Sequence, residues 1–323
     1  MAAGALLAAM PCVAQGMAAD TRHGAQEMAA LRAFVAAQRE ASTIAPGFAT
    51  WHLPGSHLRD DSASYSVEAV IAPAFALWRG RVPGVSGLFQ LDAVPFFMVR
   101  RSDGIPSNPV RSPDYRPRVT LYHLVGAADE SGQGSGPEWG TSWTLEHHSN
   151  GQSGSLLAPD GSGPNTVDGS FSLWSVAAGL HWHGGGLPLP AHKTLRLKYV
   201  HIKEGVLGTL YPDWILSLGL RSEAREHSKL GRFGGRAYLV FEADWMPRTR
   251  DDRPQDWKPS PVSGMITGFY TPLWAAGAAG AARPLLGDAT LFARFQAGSD
   301  PYNINFARNL LRLDAGLAVA LGR

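Results

Sequence analysis

The segment Glu146-His147-His148-Ser149-Asn150-Gly151 holds a base and a hydroxyl nucleophile two residues apart. A serine hydroxyl is a weak nucleophile until a base takes its proton, and histidine is the usual base because it titrates near neutrality. On a β-strand, residues i and i+2 point to the same side, so His147 and Ser149 share a face without help from distant sequence. Gly151, two residues past the serine, lets backbone N–H groups approach an oxyanion. Asn150, Gln152 and Ser153 then open a loop rich in oxygen donors of the kind hard cations take. Polar residues leaving a membrane at headgroup level give the same pattern without any chemistry, so the spacing alone does not decide.

The strand that presents the pair also puts Trp139, Thr141, Trp143 and Leu145 on their face. If that face meets lipid, base and nucleophile are offered to the bilayer, and the substrate is itself a lipid. The rest of the chain supports such a wall. Leu311, Leu313, Ala315, Leu317, Val319 and Leu321 alternate with Arg312, Asp314, Gly316, Ala318, Ala320 and Gly322. The run from Lys193 to Val200 repeats the pattern, with Leu195, Leu197 and Tyr199 opposite Arg196 and Lys198, and so does Ala237 to Trp245. A soluble sandwich would turn the apolar face inward, whereas an outer-membrane barrel turns it to lipid. Strands of ten residues or more, and tryptophans near run ends at Trp78, Trp139, Trp182 and Trp245, favour the barrel.

Composition sets the outer bounds. The chain has 323 residues and a formal charge of +2, which gives no case for nucleic-acid binding. Its one cysteine, Cys12, lies in an N-terminal stretch of small apolar residues, so the body forms no disulfide. Residues 1–14 read as a signal peptide, with Cys12-Val13-Ala14 similar to a cleavage site. Residues 15–64 read as an N-terminal extension carrying a short helix, with Met28, Leu31, Phe34 and Val35 at helical spacing. The simplest account of that helix is a solvated one with no role of its own. The barrel is expected over 65–323. His181 and His183 also stand two apart and suggest a metal pair, but hydrogen bonding inside the barrel explains them more simply.

With these residues in view, the chain resembles the outer-membrane phospholipase A family, whose signature is a His-x-Ser-Asn-Gly segment at the end of a barrel strand. Three further segments resemble the family in the same order: Phe75-Ala76-Leu77-Trp78-Arg79-Gly80, the stretch from Ser107 to Pro117, and Gly298 to Phe306 before the last strand. The resemblance implies an all-β, 12-stranded antiparallel outer-membrane barrel in a bacterial outer membrane. It implies hydrolysis of phospholipid acyl esters at a site on the outer wall, with His147 as base, Ser149 as nucleophile and Gly151 at the oxyanion. It also implies a calcium ion held by Ser107, Asn108 and the main-chain carbonyl of Gln152, and a homodimer as the active form. The family orients its histidine with an asparagine in a Trp-Asn-Arg segment. The comparable stretch here is Ser172-Leu173-Trp174-Ser175, which leaves Ser172, Ser175 or the loop residue Asn165 as the third partner. Without that asparagine, a barrel of the same descent with a structural or lipid-binding role is the alternative reading.

Overall fold

A computed structural model describes residues 21–52, 65–102, 113–125, 139–161, 165, 168–184, 192–202, 205–222, 225–226, 234–247, 260–272, 289–300 and 309–319. The expected signal segment lies outside them. The chain enters through a helix, α1 (Thr21–Gln38), and continues as β1 (Ser42–His52), β2 (Tyr65–Ile71), β3 (Phe75–Gly80), β4 (Leu88–Ser102) and β5 (Asp114–Leu124). Next come β6 (Trp139–Ser149), β7 (Ser172–His183), β8 (His192–Ile202), a short helix α2 (Gly205–Leu210), β9 (Trp214–Arg221) and β10 (Arg225–Glu226). The last four strands are β11 (Gly235–Trp245), β12 (Val262–Pro272), β13 (Thr290–Ser299) and β14 (Asn309–Val319).

These strands close into one antiparallel barrel. β14 pairs with β1, and β1 with β2, so the first and last strands are neighbours. β2 and β3 pair with successive halves of β4 and act as one interrupted strand; β9 and β10 share β11 in the same way. The wall is therefore 12-stranded. No helix among the described residues is long and apolar enough to cross a membrane.

Side-chain parity follows the sequence pattern. On β14, Leu313 and Leu317 are 45% and 52% exposed on the outside, while Arg312 and Asp314 are buried in the lumen. Trp139 pairs with Trp182 at one end of the wall. Trp174, Trp214 and Trp245 lie outward and exposed near the other. Two aromatic belts thus bracket an aliphatic band, as at the two interfaces of a bilayer.

The barrel starts earlier than residue 65. Ser42–His52 is a wall strand, and Ala45-Pro46-Gly47 conceals it, because a register shift between Gly47 and Ala49 breaks the alternation a strand would show. The helix is also not a solvated one. Leu31, Phe34 and Val35 of α1 are buried against Leu88, Tyr122 and Leu124, inside the end of the barrel opposite Ser149. Arg221 donates to the carbonyl of Ala37 at the helix C-terminus (3.1 Å), and Arg81 pairs with Glu27 on its outer side.

Charge fills much of the remaining lumen. Glu68 accepts from Arg100 Nε (2.7 Å), Arg294 (2.6 Å) and Arg312 (2.9 Å). Asp314 pairs with Arg294 and Arg312, and Asp300 with Arg100. Three carboxylates thus face three guanidiniums, a balance that lets five of the six be buried with Arg294 only partly exposed. His181 bonds Ser142 (2.8 Å) and Thr194 (3.0 Å), filling the interior with hydrogen bonds as expected.

The loop after Ser149 folds over the near end of the barrel. Leu156 and Phe171 from this loop pack with Leu173, Val200, Leu207 and Leu210, forming a small apolar core under α2. Asn150 closes the base of the loop. Its amide donates to Gly169 O (2.7 Å), and its oxygen accepts from Phe171 N (3.0 Å) and Gln152 N (3.2 Å).

Two outcomes follow from these contacts. Glu68→Ala leaves three arginines short of their shared carboxylate and should cost about 3–5 kcal/mol. Urea unfolding in detergent micelles, read by the gel mobility of folded against unfolded barrel, will show a lowered midpoint. Asn150→Ala strands the buried Phe171 N–H and should cost about 1–3 kcal/mol locally. Hydrogen exchange will then speed up at Gly154, Gly169 and Phe171, with the strands of the wall unchanged.

Candidate active site

The site is assembled by two adjacent strands. β6 turns His147 and Ser149 outward and His148 inward, while β7 turns Ser172 and Trp174 outward and Leu173 and Ser175 inward. In the pairing of these strands Ser149 stands opposite Ser172, and His147 opposite Trp174. Four side chains therefore meet on one patch of the outer wall, at the end of the exposed face formed by Trp139, Trp143 and Leu145. His147 Nε2 hydrogen-bonds Ser172 Oγ at 3.3 Å. The imidazole also lies against the Trp174 indole, with ring centres 4.6 Å apart and planes tilted by 36°.

Of the three residues expected as third partner, only Ser172 meets the imidazole in these contacts. Ser175 is buried in the lumen opposite Glu146. Asn165 belongs to the loop: it donates to Ser155 O (3.2 Å) and Asp168 (2.6 Å), and its backbone N–H goes to Leu156 O. Parity puts Ser172 and Ser175 on opposite faces, since it is the even-numbered positions of β7 that look outward.

The wall behind the patch is locked by ionic and ring contacts that sequence reading missed. His148 Nε2 sits 2.5 Å from Asp114 Oδ1, and Arg116 donates to the other oxygen of Asp114 at 2.6 Å. The His148 ring packs on Phe171 (4.5 Å between centres), which in turn meets Tyr211 (5.9 Å). The β5–β6 pairing passes from Tyr115–Ser149 to Arg118–Glu146 with a break between, where Pro117 has no N–H to give. An even position beside an odd functional one was the available signal for His148. Its partner Asp114 is visible only once β5 is placed against β6.

Just past the patch, Gly151 adopts φ +68°, a left-handed conformation that side chains rarely take, and turns the chain beside the Tyr115 ring. Gln152 follows, exposed, with its N–H held by Asn150. Ser107 and Asn108 lie outside the described residues. Of the three expected calcium donors, the structure thus places only Gln152 near the patch. Among the described residues no group of three or more His, Cys, Asp or Glu side chains is arranged to hold a metal.

No family model and no curated protein sequence matches the chain. Solved structures do. Outer membrane phospholipase A from Escherichia coli aligns over 87% of this chain and 93% of its own length, with 16% identity and a TM-score of 0.52. An asparagine-to-alanine active-site mutant of the same E. coli protein aligns over 87% of this chain and 90% of its own, with 15% identity and a TM-score of 0.51. Strand number, closure and the course of the chain agree, and on these grounds the chain has the fold of outer membrane phospholipase A.

Proposed function

We propose that this barrel is a phospholipase of a bacterial outer membrane, hydrolysing phospholipid acyl esters at Ser149. The observation that carries the reading is the patch itself: an imidazole hydrogen-bonded to a serine, with a second serine beside it, on the lipid-facing side of a phospholipase-like fold. In a wall otherwise covered by Leu, Val and Trp, such polar groups suit a substrate that arrives through the bilayer.

In the proposed reaction Ser149 Oγ attacks the ester carbonyl while His147 takes its proton. The tetrahedral oxyanion is met by backbone N–H groups at the Gly151 turn. As it collapses, His147 returns the proton to the leaving glyceryl oxygen, and the acyl chain stays on Ser149. A water deprotonated by His147 then releases the fatty acid and restores the serine. Ser172 fixes the imidazole by one hydrogen bond where the family uses an amide. Calcium and a second copy of the chain belong to the proposal through the resemblance, and the steps above use only this chain's own groups.

The test is fatty-acid release from phosphatidylethanolamine in mixed micelles. Ser149→Ala should abolish release and His147→Ala should lower it on the order of 10²–10⁴-fold. Ser172→Ala removes one hydrogen bond of about 1 kcal/mol, so a loss of up to about tenfold is expected. Chelation should lower the wild-type rate. If the folded wild type releases no fatty acid and a fluorophosphonate fails to label Ser149, the barrel is a structural or lipid-binding one instead.

A further inference from the structure

We propose that His148, through its contact with Asp114, is a positioning residue for the reaction, setting from the lumen the piece of β6 that carries His147 and Ser149. This rests on the hydrolase reading above and extends it from the outer face of the wall to the inner one.

Base and nucleophile are joined through a single residue. His148 stands between His147 and Ser149, and its two peptide bonds are the covalent link between them. Neighbours along a strand face opposite sides, so His148 is buried toward the lumen while the other two look outward. A turn or shift of its backbone therefore moves both reacting side chains at once. Small displacements count here, because misplacing reacting groups by about 1 Å costs on the order of 10²-fold in rate.

On the β5 side the backbone ladder is interrupted at this point. Tyr115 pairs with Ser149 and Arg118 with Glu146, and between them Pro117 has no N–H to donate. Side chains on the inner face span the same stretch. His148 Nε2 lies 2.5 Å from Asp114 Oδ1, and Arg116 donates to Asp114 Oδ2 from Nη2 (2.6 Å) and Nε (3.1 Å). Asp114 is buried and is itself placed by β4, where it pairs with Met98. On its other side the His148 ring packs on Phe171, the residue before Ser172 at the start of β7. One imidazole thus ties the segment of the nucleophile to β5 and to the strand that brings Ser172.

The experiment measures phospholipid hydrolysis in mixed micelles and fluorophosphonate labelling of Ser149 for the full chain and four variants, with gel mobility reporting the folded barrel. His148→Ala should lower kcat about ten- to a hundredfold with KM within about twofold, and slow labelling by a similar factor. His148→Phe keeps a ring against Phe171 but has no nitrogen for Asp114, so it should lose as much, and it replaces the alanine variant if that one does not fold. His148→Gln, whose amide nitrogen can stand in for Nε2, should recover most of both rates. His181→Ala is the control: it removes another buried lumenal histidine, bonded to Ser142 and Thr194 at the far end of the same strand pair, and should leave both rates near wild type. An unchanged kcat in folded His148→Phe, a change confined to KM, no recovery in His148→Gln, or an equal loss in His181→Ala would overturn the proposal, because each reduces the buried contact to general stability of the barrel. A wild type that neither hydrolyses lipid nor takes the label would instead overturn the hydrolase reading on which it rests.

Discussion

A strand that crosses a bilayer must satisfy two surroundings with alternate residues, and its backbone must find all its partners in the neighbouring strands. That constraint governs this molecule. Closure of β14 on β1 removes the sheet edges, and with the edges gone each residue is committed either to lipid or to the lumen. Along β6 the commitment changes at every step. Glu146 meets Lys198 inside, His147 meets Ser172 and Trp174 outside, and His148 meets Asp114 inside. Two adjacent histidines thus have opposite fates, one half-buried on the outer face and the other a buried fastening of the wall that carries it.

The interior serves the exterior. A side chain on a lipid-facing wall has few neighbours to hold it, so its placement comes from the backbone beneath. Asp114, His148, Arg116 and Phe171 fix β5, β6 and the loop to one another on the inner side, directly behind Ser149 and Ser172. Asn150 then settles where the chain leaves the strand, and Gly151 lets it turn. The Asn-Gly pair is thus structural in its first member and conformational in its second.

Much of this was legible in the sequence, and the limits are instructive. The outward face of β14 and the shared face of His147 and Ser149 follow from period two alone, and the structure has both. β1 was hidden because Pro46 and Gly47 interrupt its pattern at a register shift. The burial of α1 depended on surfaces contributed by β4 and β5, residues more than fifty positions away. The third partner was obscured by Trp174, whose following residue, Ser175, looked like a counterpart of the family's asparagine. Parity puts Ser172 on the outer face, and the register of β6 on β7 sets it opposite Ser149. Glu68 had no visible partner in sequence because its arginines come from β4, β13 and β14.

The pairing of β1 with β14 carries a consequence for how the molecule is made. Glu68 and Arg312 are 244 positions apart, and Arg100 and Asp300 are 200 apart. None of these contacts can form until the last strand has been delivered to the first. Folding is therefore dominated by contacts of very long sequence separation, whose chain-closure entropy must be met before any of them contributes. The helix that precedes β1 sits within the ring that this closure completes, so it has to be in place by then or be threaded in afterwards. A chain stalled before closure would expose an open sheet edge together with unpaired lumenal charge.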